Sequence, residues 1–267
     1  HTPSGWAWAL AGACIGLMLS VLVNMPAQWL ANAIQQGTQG QVQLQEAQGS
    51  VWRGAAKLVL TGGVGSRDAM ALPGQLQWQL SLSPQGWHVP RLNLQVLAAC
   101  CMAQAAKLEL SAANGLATWQ VQIDDHRSQW PAHLLSGLGA PWNTLQAEGN
   151  LNLSTQQLTL QVRPGHTEMQ GSVRLTAENM SSKLSTLRPM GTYQITLENA
   201  AAVAAAPALT LTTLSGSLLL SGQGQWQNNR LQFRGEASAV PEHAAALSNL
   251  LNIIGRRQGA RSLLSLG

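Results

Sequence analysis

The residue types able to do chemistry are sparse in this chain and poorly spaced for it. His88, His126, His133, His166 and His243 fall in turns or at element ends, and neither H-E-x-x-H nor G-x-S-x-G occurs. Asp68, Asp124 and Asp125 are the only aspartates, so carboxylate-pair catalysis has little raw material. Asp124-Asp125-His126 is the one tight acidic cluster. As a metal site it would need ligands from distant parts of the chain; as a hairpin turn it needs none, and the turn is the expectation. Thr61-Gly62-Gly63-Val64-Gly65 lacks the lysine of a phosphate-binding loop and reads as a loop. No catalytic, metal-binding or cofactor-binding residue is assigned, no cofactor is expected, and the chain is not expected to be an enzyme.

Three cysteines remain. Cys14 sits in an apolar run and serves as a small apolar residue. Cys100 and Cys101 are adjacent. They stand either as two thiols on opposite faces of a strand or as a vicinal disulfide, which requires an oxidising compartment. No spaced Cys or His accompanies them, which excludes a zinc site of the common kinds.

Composition narrows the class further. Only 10% of the 267 residues are charged, against about 25% in ordinary soluble domains. Polar positions are filled instead by Gln, Ser, Thr and Asn. The net charge of +4 is scattered, which argues against a nucleic-acid partner because that needs Lys and Arg gathered on one face.

The stretch that organises the chain is Trp6–Val23, WAWALAGACIGLMLSVLV, eighteen residues without a charge. As a helix it would be roughly 27 Å long, close to the hydrocarbon thickness of a bilayer. It lacks the polar stripe of a core helix and the basic start of a signal peptide, although Ala31-Asn32-Ala33 resembles a small-residue cleavage site. The expectation is a retained transmembrane anchor, with Leu17, Leu19 and Leu22 facing lipid and Trp6, Trp8 and Trp29 at the interfaces. No Lys or Arg precedes Arg53, so orientation rests on the large domain that follows, which favours its export. After the break at Pro26, Ala27–Gln36 has helical spacing and reads as an amphipathic helix on the membrane surface.

From Val42 to about Ala239 the dominant period is two. Leu76, Trp78, Leu80 and Leu82 alternate with Gln and Ser; Leu92, Leu94 and Val96, then Leu108 and Leu110, then Trp119, Val121 and Ile123 continue the pattern. Leu151 and Leu153 are expected to pair with Leu158, Leu160 and Val162 across Ser154–Gln157. Tyr193, Ile195 and Leu197, Leu209 and Leu211, Leu218 and Leu220, and Leu231 and Phe233 follow. Turns are expected at Pro84-Gln85-Gly86, Asn114-Gly115 and Asn228-Asn229, with an Ala-rich loop, or a short helix that stops at the Pro, over Asn199–Pro207. Helical candidates are Ser128–Gly139 and Pro241–Ile254, and Ala260–Leu266 reads as a last strand. Trp78, Trp119 and Trp226 fall on strand faces and are expected to be buried; the alternative is that they line a groove for a lipid chain or partner strand.

The predicted fold is mainly β: a single N-terminal transmembrane helix, an antiparallel twisted sheet or partly open barrel-like meander, and a short C-terminal helix. Residues 1–26 form the N-terminal segment and anchor, 27–41 an amphipathic juxtamembrane linker, and 42–267 the β-rich domain. Helices are too few to cover every leucine-bearing strand face, so the sheet must fold on itself or meet lipid or a partner.

Several segments resemble one family, the type II secretion system protein N. They are Gly49-Ser50-Val51-Trp52-Arg53-Gly54-Ala55-Ala56; LSTLRPMGTYQ at 184–194; LTLTTLSGSLLLSGQGQW at 209–226; RLQFRGEASA at 230–239; and LNIIGRRQGARSLLSLG at 251–267. The resemblance implies an inner-membrane protein of Gram-negative bacteria with a periplasmic domain, accessory to the export of folded proteins across the outer membrane. It implies as partners the inner-membrane component C, assembly-platform proteins and the outer-membrane secretin. Trp52, Arg53, Arg188, Arg256 and Arg257 are the motif residues singled out for partner or folding roles. The family is also similar to the AsmA-like group, which implies the alternative of a lipid-binding or lipid-guiding groove and makes membrane lipid a further partner.

Overall fold

The alternation of apolar and polar residues produces a single long meander. The computed structural model describes residues 5–83, 91–113, 118–163, 166–199, 207–227 and 230–266. The turns expected at Pro84-Gln85-Gly86, Asn114-Gly115 and Asn228-Asn229 lie outside them, as does residues 200–206 of the Ala-rich loop. The strands are β1 Val42–Gly49, β2 Arg53–Thr61, β3 Ala69–Ala71, β4 Leu76–Ser83, β5 Arg91–Ala98, β6 Ala106–Ala113, β7 Thr118–Ile123, β8 His126–Pro131, β9 Ala147–Arg163, β10 His166–Ser182, β11 Gly191–Asn199, β12 Pro207–Gly216, β13 Leu218–Gln227, β14 Arg230–Ala239, β15 Arg256–Gln258 and β16 Arg261–Leu266. They pair antiparallel in the order β1-β2-β4-β5-β6-β7-β9-β10-β11-β12-β13-β14-β16-β15, with β3 on β2 and β8 on β9. The two ends of that order, β1 and β15, do not pair with each other, so the sheet is open and not a closed barrel.

Bulges replace some expected turns. The phase change from Leu151 and Leu153 to Leu158, Leu160 and Val162 does not mark a hairpin: β9 runs straight through Ser154–Gln157. At Gln157 (φ 47), opposite Gly171 (φ 90), β9 carries one residue more than β10 between the pairs Gln156↔Ser172 and Thr159↔Gln170. One extra residue reverses the side-chain parity, which returns the even-numbered leucines to the face of the odd-numbered ones. Glu46 in β1 and Asn179 in β10 also have positive φ, each at a register shift.

Asp124-Asp125 is not a hairpin turn either. Both β7 and β8 pair with β9, one after the other, through Ile123↔Leu158 and His126↔Thr155. The acidic pair spans the step between them. Asp125 Oδ1 accepts from the Gln157 N–H at 2.7 Å, and the Asp124 carbonyl accepts from Thr155 Oγ1 at 3.0 Å. The cluster therefore satisfies backbone at the β9 bulge, because seventeen residues of β9 give both short strands one shared partner.

Helices cover the sheet locally. α1 is Gly5–Val23 and α2 is Ala27–Gly37. Among the described residues no helix is long and apolar enough to cross a membrane. The membrane-surface reading of α2 is corrected: its apolar side packs on the sheet, where Ala27, Ala31, Leu30 and Ile34 meet Leu44, Ala56 and Trp78. An amphipathic helix buries its stripe against the nearest apolar surface, and the adjoining strands supply one. The helical candidate at Ser128–Gly139 is shorter than expected, because residues 126–131 pair as β8 and only Ala132–Leu138 forms a 3₁₀ helix. α3 is the single turn Trp142–Leu145.

At the C-terminal end, Pro241–His243 forms a 3₁₀ turn leading into α4, Ala244–Ile254. Gly255 follows α4 because a Cβ there would run into the Leu263 carbonyl. Leu247, Leu250 and Leu251 of α4 bury against Met190, Tyr193, Leu218 and Ala237, which is the largest core cluster. A third cluster joins Leu72, Ala98, Cys101 and Leu134.

Candidate functional site

The segment Ser50–Trp52 between β1 and β2 joins the sheet to α1. Val51 N–H donates to the Met25 carbonyl at 2.9 Å, Trp52 Nε1 donates to the Leu22 carbonyl at 2.9 Å, and Pro26 bridges Ser50. The Leu22 carbonyl belongs to the last turn of α1, where a helix leaves its acceptors unsatisfied. The same loop reaches inward: Trp52 carbonyl accepts from Leu80 N–H at 2.7 Å, and Val51 carbonyl from Trp78 Nε1 at 3.0 Å. Gly54 lets the Trp78 ring lie against the backbone, since a Cβ there would overlap it. Trp52 is thus half-buried and works as a joint, while Arg53 is exposed beside it.

Beyond that joint lies one continuous apolar face. Strand pairing aligns Leu80, Leu94, Leu108, Ile123 and Leu158 in one row. The next row is Leu82, Leu92, Leu110, Val121, Leu160 and Met169. After β10 the rows continue as Leu175, Ile195 and Leu211, and as Val173, Leu197 and Leu209. The ion pairs Arg91–Glu109, at 3.3 Å, and Arg163–Glu168, at 3.5 Å, alternate onto the opposite face. Helices cover this apolar face only in part: Leu82 is 60% exposed, and Trp119 and Val162 are each 41% exposed. Trp78 is buried as expected, but Trp119 is exposed and Trp226 half-buried, so burial does not account for all three.

The remaining motif residues scatter. Arg188 meets Glu148 at 3.2 Å, an exposed pair of little energetic weight. Arg256 and Arg257 are exposed on β15, and Arg257 Nε donates to the Gly259 carbonyl at 2.8 Å. Cys100 and Cys101 are bonded to each other in the turn between β5 and β6, not within a strand. Cys101 is buried, and its carbonyl accepts from Gln129 N–H at 2.8 Å, tying that turn to β8. Of the anchor residues, Trp6, Trp8, Leu17, Leu19, Leu22 and Trp29 all expose their side chains.

A cleft of about 380 Å³ between β3, the Ala132–Leu138 helix, α3 and β9–β10 gathers Asp68, His133, Asn143, Glu148 and Lys183, which come from five separate segments and carry no sequence signal. Its carboxylates are already engaged: Asn143 Nδ2 donates to Asp68 Oδ2 at 2.9 Å within the cleft, and Glu148 pairs with Arg188. Among the described residues no three His, Cys, Asp or Glu are grouped as metal ligands. The feature that sequence reasoning missed is the alignment of these rows. The leucines themselves were legible; their shared register was not, because it depends on bulges at Gln157 and Asn179.

The family model for type II secretion system (T2SS), protein N covers residues 40–263, from just before β1 into β16. No curated protein and no solved structure matches.

Proposed function

Because the chain belongs to the type II secretion system protein N family, we propose that it is a non-catalytic adaptor of that machinery, tethered in the inner membrane with its sheet in the periplasm. The observation that carries this reading is the joint at Ser50–Trp52, where the last turn of an apolar helix is hydrogen-bonded to the first hairpin of the sheet. α1 is apolar on every side, with no acidic residue in its first turn and no basic one in its last. Such a helix has no stripe to bury on the sheet and leaves its apolar side chains exposed. Trp29 lies exposed on the side of α2 away from the sheet. Component C, the assembly-platform proteins and the secretin are the partners this reading names, and Arg53, Arg188, Arg256 and Arg257 are exposed positions at which to seek them.

The experiment has two parts. Protease added to spheroplasts should degrade the sheet and leave a short N-terminal fragment; a shielded sheet would sink the topology. A photo-crosslinker substituted for Arg53 or Arg257 should capture component C, and deletion of the protein should lower export of folded substrates. Unchanged export with no crosslink from any of the four positions would remove the adaptor role.

A further inference from the structure

We infer that the Cys100–Cys101 bond is a redox latch: a dithiol opens it by attacking Cys100, and the opening loosens β8 from the turn between β5 and β6. The inference goes beyond the adaptor reading and does not rest on it. The bond joins neighbouring residues. A disulfide stabilises chiefly by closing a loop in the unfolded chain, and the effect grows with the number of residues enclosed. No residue lies between Cys100 and Cys101, so chain entropy does not account for this bond. Its effect is local. Adjacent side chains of a strand point to opposite faces, whereas the bond brings these two together and holds the backbone in a turn. In that turn the Cys101 and Met102 N–H groups both donate to the Ala98 carbonyl at 2.9 Å.

The two cysteines are unequally placed. Cys100 is exposed, while Cys101 is buried beside Leu72, Ala98 and Leu134. A thiolate therefore reaches Cys100 from solvent and is kept from Cys101. Its attack forms a bond to Cys100 Sγ and breaks the bond to Cys101 Sγ, which leaves as a thiolate and takes up a proton. Leu92 to Ala106 carry no charge, so no neighbour along the chain holds that thiolate in its apolar surroundings. With a monothiol, the Cys101 sulfur beside the adduct returns to Cys100 and expels it. A dithiol escapes this return. Its second thiol attacks its own sulfur on Cys100, closes as a disulfide and frees the Cys100 thiol. Two electrons pass from the dithiol to the pair, and the two dithiol protons end on Cys100 and Cys101.

The consequence lies in what the turn holds. β8 pairs with β9 along one side. On its other side, among the described residues, its one backbone hydrogen bond runs from the Gln129 N–H to the Cys101 carbonyl at 2.8 Å. Leu134, in the Ala132–Leu138 helix that follows β8, packs in the same cluster as Cys101. The oxidised pair fixes the direction of the Cys101 carbonyl and so keeps β8 against the turn. The reduced pair leaves both side chains free to turn apart and releases that constraint.

The test uses the full chain in detergent, purified without reductant and carrying Cys14→Ser so that only the pair can supply thiols. Thiols are counted by maleimide labelling and mass spectrometry. None should be found before treatment and two after dithiothreitol under native conditions, whereas glutathione at equal thiol concentration should open the pair about tenfold less. A brief maleimide pulse on the reduced chain should label Cys100 about tenfold more than Cys101. Hydrogen exchange should then show the Gln129 amide about tenfold faster in the reduced chain, with amides of β11 to β14 changed less than about twofold. The double variant Cys100→Ser with Cys101→Ser should melt within about 4 °C of the oxidised chain and exchange fast at Gln129 with or without dithiothreitol. Two free thiols in the untreated chain, a pair that dithiothreitol opens only in urea, or equal exchange at Gln129 in both states would each overturn the latch. A double variant that fails to fold, or melts more than about 10 °C lower, overturns it as well, by making the bond a structural clamp.

Discussion

The helix-covered and bare parts of the one apolar face are made from the same residue types by the same alternation, yet they differ in nearly every physical respect. Where α4 lies over β13 and β14, Leu247 and Leu251 are 0% and 1% exposed and pack against Leu218 and Ala237. At the end of β4 that no helix covers, Leu82 keeps 60% of its surface. Leucine alternation therefore says that a face is apolar, not that it is buried. Burial depends on whether a second element reaches it, and here two helices and a 3₁₀ turn reach only its margins. The covered part holds the fold together; the bare part is free for function.

Truncation should separate the two parts most sharply. Leu251→Ala removes a fully buried side chain from the core under α4 and should cost about 2–5 kcal/mol. Leu82→Ala, on the bare row, should change stability by less than ~0.5 kcal/mol. Urea unfolding in detergent, read by tryptophan fluorescence, measures both. Near-equal costs would mean that the bare rows are packed and would erase the distinction. The next largest effect belongs to the bulge that keeps the two parts on one face. Gly171 holds φ 90 against Gln157, and a Cβ there would strike the Gln156 and Gln157 carbonyls. Gly171→Ala should cost about 2 kcal/mol or more. A cost near zero would show that the register across β9 and β10 does not depend on that bulge.

The tryptophans give a finer version of the same contrast. Trp78 is buried, and its Nε1 donates to the Val51 carbonyl at 3.0 Å. Trp78→Phe loses that bond and leaves an unfilled volume, for about 1–2 kcal/mol. Trp119→Phe on the bare part should stay within ~0.5 kcal/mol. If the two substitutions cost the same, exposure is a poor guide to which rows carry the fold.

The sequence made much of this legible, for identifiable reasons. Period-two runs such as Leu76–Leu82 and Leu92–Val96 are strong signals, and each became a strand in the expected place. Pro241 and Gly255 bracketed the C-terminal helical segment correctly. The open or closed character of the sheet was not legible, since no local pattern reports whether β1 meets β15. The bulges were missed because Glu46, Gln157 and Asn179 take positive φ without being glycine, and the change of leucine parity at Gln157 imitates a turn. α2 was legible as amphipathic, but its destination was not: a stripe of Ala27, Leu30, Ala31 and Ile34 suits a membrane surface and a sheet equally well. The polar cleft at Asp68 and His133 was invisible, because its residues are distant in sequence and come together only when β3 meets the Ala132–Leu138 helix.

The smallest effect concerns a polar group inside the covered part. Tyr193 lies in the core beneath α4, and its hydroxyl has no hydrogen-bond partner among the described residues. Burial pushes its pKa up, because the charged phenolate would lose its hydration. A hydroxyl in that position costs stability instead of adding it, so Tyr193→Phe should be neutral or up to ~1 kcal/mol stabilising at pH 7. The pH dependence has a definite sign. Below the ordinary phenol pKa of about 10, Tyr193 is neutral whether the chain is folded or not, and it contributes no slope. Above it the unfolded chain releases a proton that the folded chain retains, so stability falls as pH rises through that range. The phenylalanine variant lacks this term and should lose less stability between about pH 9 and 11. The same hydroxyl introduced by Phe233→Tyr, at the half-buried inner-face row of β14, would keep access to water and add a smaller alkaline slope. A Tyr193→Phe variant weaker than wild type by more than ~1 kcal/mol would mean that the hydroxyl is satisfied, and that the covered core admits water after all.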